Sequence, residues 1–196
     1  MIELIFVRHG ETEHNAAGLY YGWDDSCLTQ KGFLQAEKVR EKLKRKNIDH
    51  IISSDLDRTM KTAEIINRNH HVKITIERNL REMNFGLWEG LSYKEIKEKY
   101  PQKLKEWEND WIGMSALKGE SVSQMYERVT KEVEKIMHTY KKGNILMVIH
   151  AGCIRAILAY LIGRGIEDYW KYKVDYCGIS TIEMIDGFPV LTAFNQ

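Results

Sequence analysis

Proline and cysteine are scarce in this chain of 196 residues, which holds two of the first and three of the second. The prolines, Pro101 and Pro189, are too few for a proline-rich linker. With 43% hydrophobic and 29% charged residues, the chain can fill a core and solvate a surface, which excludes a disordered tract. Cys27, Cys153 and Cys177 are odd in number and scattered, with no CxxC pair, so neither a disulfide framework nor a zinc site is indicated. A reducing, cytoplasmic location is expected. Long apolar runs are missing as well: nothing approaches the ~18 residues needed to cross a bilayer. The apolar run at the start is short and interrupted by Glu3, so it does not read as an export signal. Finally, no excess of charge exists in either direction, since 29 Lys and Arg stand against 28 Asp and Glu for a net charge of +1. Neither nucleic acid nor a membrane surface is therefore an expected partner, and any recognition of charge must be local. The length suits one domain over residues 1–196.

Strand and helix signals alternate along the chain. Residues 2–7 form an apolar, partly β-branched run ended by Arg8-His9-Gly10, as expected of a buried strand entering a loop. Thr29 is placed to cap a helix with Phe33, Ala36, Val39 and Leu43 on its apolar face, ending near Asn47. A second strand is expected over 48–53, then a helix capped by Ser54 or Asp55 and carrying Met60, Ala63 and Ile66, then a third strand over 72–76. Residues 92–119, rich in Lys, Glu and Trp, read as a helical insertion of short helices and turns. Ser121 opens a long helix with Val122, Met125, Val129, Val133, Ile136 and Met137 in one stripe. A strongly apolar strand over 144–149 leads to His150 and a helix to about Leu161, and strands over 180–185 and 189–194 close a hairpin at Asp186-Gly187. This alternation predicts an α/β, three-layer sandwich with a mainly parallel central sheet and an antiparallel edge.

Chemistry collects where the predicted strands end. Arg8 and His9 follow the first strand, Arg58 lies just beyond the second, and His150 follows the fourth. Ligands of open α/β sheets bind beyond the carboxyl ends of the strands, so these four residues are candidates for one pocket. Two guanidinium groups and two imidazoles suit a tetrahedral dianion, and a phosphomonoester is the obvious one. Phosphoryl transfer also needs a proton donor for the leaving oxygen and a base for water. Glu11 and Glu82 both stand in glycine-bearing loops, and their surroundings alone do not choose between them.

Four motifs carry a resemblance. They are Arg8-His9-Gly10-Glu11-Thr12 with Asn15, Ser53-Ser54-Asp55-Leu56-Asp57-Arg58-Thr59 with Thr62-Ala63, Arg81-Glu82 with Phe85-Gly86-Leu87-Trp88-Glu89-Gly90, and Val148-Ile149-His150-Ala151-Gly152. In this order they resemble the histidine phosphatase family, in its phosphoglycerate mutase-like branch, and a phosphoglycerate mutase-like fold is thereby implied. The resemblance makes His9 the nucleophile, forming a phosphohistidine. Arg8, Arg58 and His150 would bind and stabilise the transferring group, and Glu82 would serve as acid and base, which leaves Glu11 a loop-stabilising role. Asn15, Tyr21 and Gly22 match the family's substrate-contacting positions. No metal and no other cofactor is implied.

The resemblance also bears on the reaction. The wording from Phe85 to Gly90 is similar to the phosphatase members rather than to the Arg-His-Tyr-Gly of the glycolytic mutases, and the chain is shorter than those mutases. Hydrolysis is therefore expected. The first and third motifs are most similar to those of α-ribazole phosphatases, which implies α-ribazole 5′-phosphate as substrate, in cobalamin nucleotide-loop assembly. The alternatives are a broad-specificity small-molecule phosphatase and a phosphoglycerate mutase. Selection would lie in residues 93–117, where Trp107, Trp111 and Met114 either pack on a nonpolar leaving group or hold the insertion to the core. His14 stands where many relatives carry Trp. A homodimer is left open.

Overall fold

The computed structural model describes all of residues 1–196. In chain order its elements begin with β1 (Ile2–Arg8), α1 (Glu13–Ala16), β2 (Leu19–Tyr20), α2 (Gln30–Leu43), β3 (His50–Ser53), α3 (Asp57–Asn67) and β4 (Ile74–Ile76). They continue with β5 (Leu91–Ser92), α4 (Tyr93–Lys99), α5 (Pro101–Asn109), α6 (Val122–Thr139), β6 (Gly143–Ile149), α7 (Ala151–Leu161), β7 (Ile179–Ile185) and β8 (Phe188–Ala193).

The unbroken apolar run of β1 has a physical cause. Side chains alternate across a strand, so a strand that is apolar at every position must be covered on both faces. Leu4 and Phe6 pack with Ile145, Met147 and Ile149 of β6 under α6 and α7. Ile5 and Val7 pack with Leu146 and Val148 under α2 and α3. The result is a helix–sheet–helix sandwich. Its sheet runs β4-β3-β6-β1-β7-β8. The pairs β4–β3, β3–β6 and β6–β1 are parallel, whereas β1–β7 and β7–β8 are antiparallel and form the edge. This is the expected architecture.

Two helix starts depart from the expected caps or faces. Phe33 of α2 is 44% exposed, and Gly32 takes the inward place instead, giving a stripe of Gly32, Ala36, Val39 and Leu43. A methyl group on Gly32 would overlap the Glu11 carbonyl, so the loop after β1 can lie on α2 only at a glycine. The helix ends at Leu43 rather than near Asn47. For α3 neither Ser54 nor Asp55 is the cap: Leu56 holds that position and makes no side-chain capping bond. The Ser54 hydroxyl is engaged by His150 and Thr59, and the Asp55 carboxylate by Arg81. The expected caps at Thr29 and Ser121 do form, to Gly32 N and Gln124 N.

Residues 92–119 contain α4 and α5, with Ser92 and Glu95 forming a capping box and Pro101 opening α5. They rest on a small separate core of Trp88, Ile96, Leu104 and Ala116. Contrary to the all-helical reading, the stretch starts in sheet: β5 pairs with β2. No helix is long and apolar enough to cross a membrane.

Candidate active site

Three parallel strands deliver the polar cluster. Arg8 ends β1, His9 follows it, Ser53 ends β3 and Ser54 follows it toward α3, and His150 joins β6 to α7. At this edge the chain leaves a fully covered sheet, so side chains just past the strand ends are buried without being part of the core. His9 is 4% exposed, Arg58 1% and His150 0%, and the two imidazole rings lie edge to face with centroids 5.2 Å apart.

The hydrogen bonds fix what each group has left to offer. His9 Nδ1 donates to the Gly10 carbonyl at 2.8 Å, which puts the proton of the neutral ring on Nδ1 and leaves the Nε2 lone pair free. Burial first, then the Arg58 and Arg8 guanidinium charges, hold the His9 ring well below the ordinary imidazole value, so it is neutral near pH 7. The same causes act on His150, with His9 and Arg128 adding to them. His150 Nε2 meets Ser54 Oγ at 2.8 Å. Arg58 Nη1 donates to the Asp24 carbonyl at 2.9 Å and to Asp25 Oδ1 at 3.2 Å, Nη2 donates to the Gly22 carbonyl, and the guanidinium lies 4.6 Å from the Tyr21 ring centroid. Among the arginines and histidines of this cluster, three buried nitrogens stay without a protein partner: Arg8 Nε, Arg58 Nε and His150 Nδ1.

A cavity of about 260 Å³ is lined by Arg8, His9, Arg58 and Glu82 at its polar end, whereas the expected His150 is not in the lining and adjoins it through the His9 ring. Glu82 is fixed there by two backbone donors, Met83 N–H to Oε1 at 3.0 Å and Gly152 N–H to Oε2 at 2.9 Å. A methyl group on Gly152 would overlap Glu82 Oε1 and crowd the Tyr169 hydroxyl, so the carboxylate approaches the first turn of α7 because that position has no side chain. Glu11 stays outside this cavity, bonded to Lys31 at 2.8 Å and to Thr29.

The expected substrate contacts divide. Asn15 and Tyr21 line the cavity. Asn15 Oδ1 accepts from Tyr21 OH at 2.9 Å and from the Thr12 backbone at 3.2 Å, so the loop is tied off on itself. Gly22 does not line the cavity: its N–H donates to Glu89 and its carbonyl receives Arg58, which places it behind the wall as a support. Of the three residues singled out in 93–117, Trp107 lines the cavity, whereas Trp111 packs tilted against Tyr169 and edge-on against Trp170, and Met114 is absent from the lining. His14 packs edge-on against Tyr21 at 5.1 Å and is not in the lining either.

The family model described as "Histidine phosphatase superfamily (branch 1)" matches residues 4–196. The chain belongs to the histidine phosphatase superfamily. Among relatives, it is 31% identical over 195 residues to "Phosphoserine phosphatase 1" of Hydrogenobacter thermophilus, covering 100% of this chain and 92% of that protein. It is 30% identical over 195 residues to "Adenosylcobalamin/alpha-ribazole phosphatase" of Escherichia coli, covering 100% and 96%. The structure of the α-ribazole phosphatase from Shigella flexneri superposes with a TM-score of 0.95 at 30% identity, over 99% of this chain and 96% of that one. The protein is accordingly a phosphoric monoester hydrolase with the phosphoglycerate mutase-like sandwich.

In this histidine phosphatase several supporting residues escaped the sequence reading. Glu89 accepts four backbone N–H groups, from Gly22, Trp23, Asp24 and Phe85, and so ties the carbonyl loop that holds Arg58 to the loop after Glu82. Arg128 of α6 forms a bidentate pair with Glu120 and donates to the carbonyls of Asn79, Arg81 and Glu82, pinning the backbone that carries Glu82. Arg155, Tyr169 and Trp170 also line the cavity. Glu89 lies inside the third motif and was within reach. Arg128 sits beside the apolar stripe of a long helix, where spacing gives no hint of its partners. Cys153 is buried as expected, with its thiol donating to the Leu80 and Arg81 carbonyls. No group of three or more His, Cys, Asp and Glu is arranged to hold a metal ion.

Proposed function

We propose that this phosphatase works through a phosphohistidine at His9 and that its substrate is α-ribazole 5′-phosphate. The observation that carries the mechanism is a neutral His9 beside three buried, unpartnered nitrogens, Arg8 Nε, Arg58 Nε and His150 Nδ1. Unpaired buried donors are costly, and a phosphoryl group supplies the acceptors they lack. Binding a phosphoryl oxygen requires the proton of His150 on Nδ1, the tautomer in which Nε2 accepts from Ser54 Oγ.

The Nε2 lone pair of His9 attacks phosphorus, the bond from phosphorus to the ester oxygen breaks, and the leaving oxygen takes its proton from the acid form of Glu82. The imidazolium charge of the intermediate is stabilised by the Gly10 carbonyl on Nδ1–H. Water then attacks phosphorus, gives its proton to the Glu82 carboxylate, and the phosphorus–nitrogen bond breaks with its electron pair returning to Nε2. Arg8, Arg58 and His150 hold the equatorial oxygens throughout. Asn15 of α1 and Tyr21 just after β2 face the substrate.

The choice of substrate rests on the outer cavity. Tyr20, Phe85, Trp107 and Trp170 line it, an aromatic wall suited to a flat apolar base. The resemblance to α-ribazole phosphatases in sequence and in structure points the same way. Three free cysteines fit action in a reducing cytosol. The test is a comparison of kcat/KM for α-ribazole 5′-phosphate, phosphoserine, 3-phosphoglycerate and p-nitrophenyl phosphate, with 32P trapping on the protein. The proposal expects preference for the first ester and label lost in His9→Ala. A flat profile defeats the substrate, and full activity of His9→Ala defeats the mechanism.

A further inference from the structure

Arg8 is gripped by a strap of chain that reaches it from outside the cavity. The strap is the segment 174–177, between the 3-10 turn at Ile166–Lys171 and β7. It holds Arg8 at three points. The Val174 carbonyl accepts from Arg8 Nη1 at 2.8 Å, the Cys177 N–H donates to the Arg8 carbonyl at 3.0 Å, and the Tyr176 ring lies under the guanidinium with 3.8 Å from its carbon to the ring centroid. Arg8 has no carboxylate within ion-pair distance, so these contacts, and not a salt bridge, fix the plane of its guanidinium. Tyr176 is half-buried and absent from the cavity lining, so a bound ester meets Arg8 and not the ring.

The strap is itself held under strain. Cys177 has φ +56, a left-handed conformation that residues other than glycine seldom adopt. What over-determines that conformation is Asn195, beyond β8. Its Oδ1 accepts from the Asp175 N–H at 2.8 Å and its Nδ2 donates to Asp175 Oδ2 at 2.9 Å. A methyl group on Gly178 would overlap Asn195 Oδ1, so the close fit of the two segments also requires glycine there. Asn195 is in turn tied to the sheet by its N–H to Ser180 Oγ at 3.1 Å.

We infer that Tyr176 and Asn195 are positioning residues for oxyanion binding: Tyr176 orients the Arg8 guanidinium, and Asn195 locks the strap that presents Tyr176. This rests on the proposed phosphoryl-binding role of Arg8. A flat cation held against an aromatic face loses little freedom on binding, and removing the ring frees it to swing.

The experiment measures inhibition by inorganic phosphate and by orthovanadate, with kcat and KM for p-nitrophenyl phosphate, in the full chain. The variants are Tyr176→Phe, Tyr176→Ala, Asn195→Ala, Arg8→Ala and the double variant Arg8→Ala/Tyr176→Ala. Tyr176→Ala is expected to weaken both inhibitors and raise KM by about fivefold to tenfold. Asn195→Ala should act in the same direction by about threefold, and Tyr176→Phe, which keeps the ring, should stay within about twofold of the parent. In the Arg8→Ala background the Tyr176→Ala change should add nothing, since the group it orients is gone. Full additivity in the double variant, or inhibition unchanged in a folded Tyr176→Ala, overturns the inference. If Tyr176→Ala does not fold, loss of oxyanion binding in Tyr176→Phe overturns it instead, since the hydroxyl and not the ring would then matter. Unchanged inhibition in Arg8→Ala overturns the phosphoryl-binding role of Arg8, and the inference falls with it for that separate reason.

Discussion

The floor and the outer wall of the cavity are built by opposite means. The floor is set where parallel strands end: His9 just past β1 and Arg58 in the first turn of α3 are at most 4% exposed, the fully buried His150 ring packs edge-on against His9, and each has hydrogen-bond partners that leave one nitrogen to spare. The wall is set by turns and by helices outside the main sheet. Trp170 is 51% exposed on a 3-10 turn, and Trp107 of α5 belongs to the satellite core around Trp88. Floor residues have one conformation available because the sheet is packed on both faces. Wall residues are anchored only at their backs. The proposed chemistry is therefore tied to the fold, while the proposed leaving-group contacts sit on segments that can change without disturbing the sheet.

The strongest way to break the floor without touching a functional side chain is Gly152→Ala. The new methyl group would push the Glu82 carboxylate from its place on α7, and kcat for an ester with a poor leaving group is expected to fall about 10²-fold while the fold survives. Unchanged steady-state rates would show that Glu82 is not the proton donor. Ser54→Ala removes the partner of His150 Nε2. It should lower kcat/KM about tenfold and, by leaving a buried nitrogen unpaired, lower stability by about 1–3 kcal/mol in urea unfolding.

The wall should respond differently. Trp170→Ala is expected to raise KM for an ester with an aromatic base by less than tenfold, with stability and the rate for a small aliphatic ester nearly unchanged. Equal effects on both esters would remove Trp170 from the leaving-group site. The smallest expected signal concerns pH. His9 and His150 are pushed well below the usual imidazole range, so in the free enzyme their ring resonances should keep neutral shifts from pH 8 down through about 6.5. Because the unfolded chain binds these protons more readily, stability should hold above about pH 6.5 and decline as pH falls below it. Titration of either ring near 6.5 would mean that the floor is wetter than its burial indicates.

Much of this was legible in the sequence. The continuous apolar strands 2–7 and 144–149 announced a sheet covered on both faces, because only such a strand has no polar side to show. Their abrupt ends at Arg8-His9 and His150 announced the site. The cap of α3 was not legible, since Ser54 and Asp55 have the right chemistry for a cap and the competing claims of His150 and Arg81 come from 96 and 26 residues away. The same holds for Gly22, whose motif position suggests contact with substrate although its N–H belongs to Glu89.

Local periodicity and short motifs express backbone preference and chemistry directly, so the sandwich, the family, the residue types at the strand ends and the choice of Glu82 over Glu11 follow from the order of residues. Which nitrogens are left free, that Gly22 stands behind the cavity wall, and that Arg8 is held by a strap from the far end of the chain are outcomes of the folded chain alone. Those outcomes depend on which donor finds which acceptor across long separations, and a one-dimensional pattern holds no record of such competition.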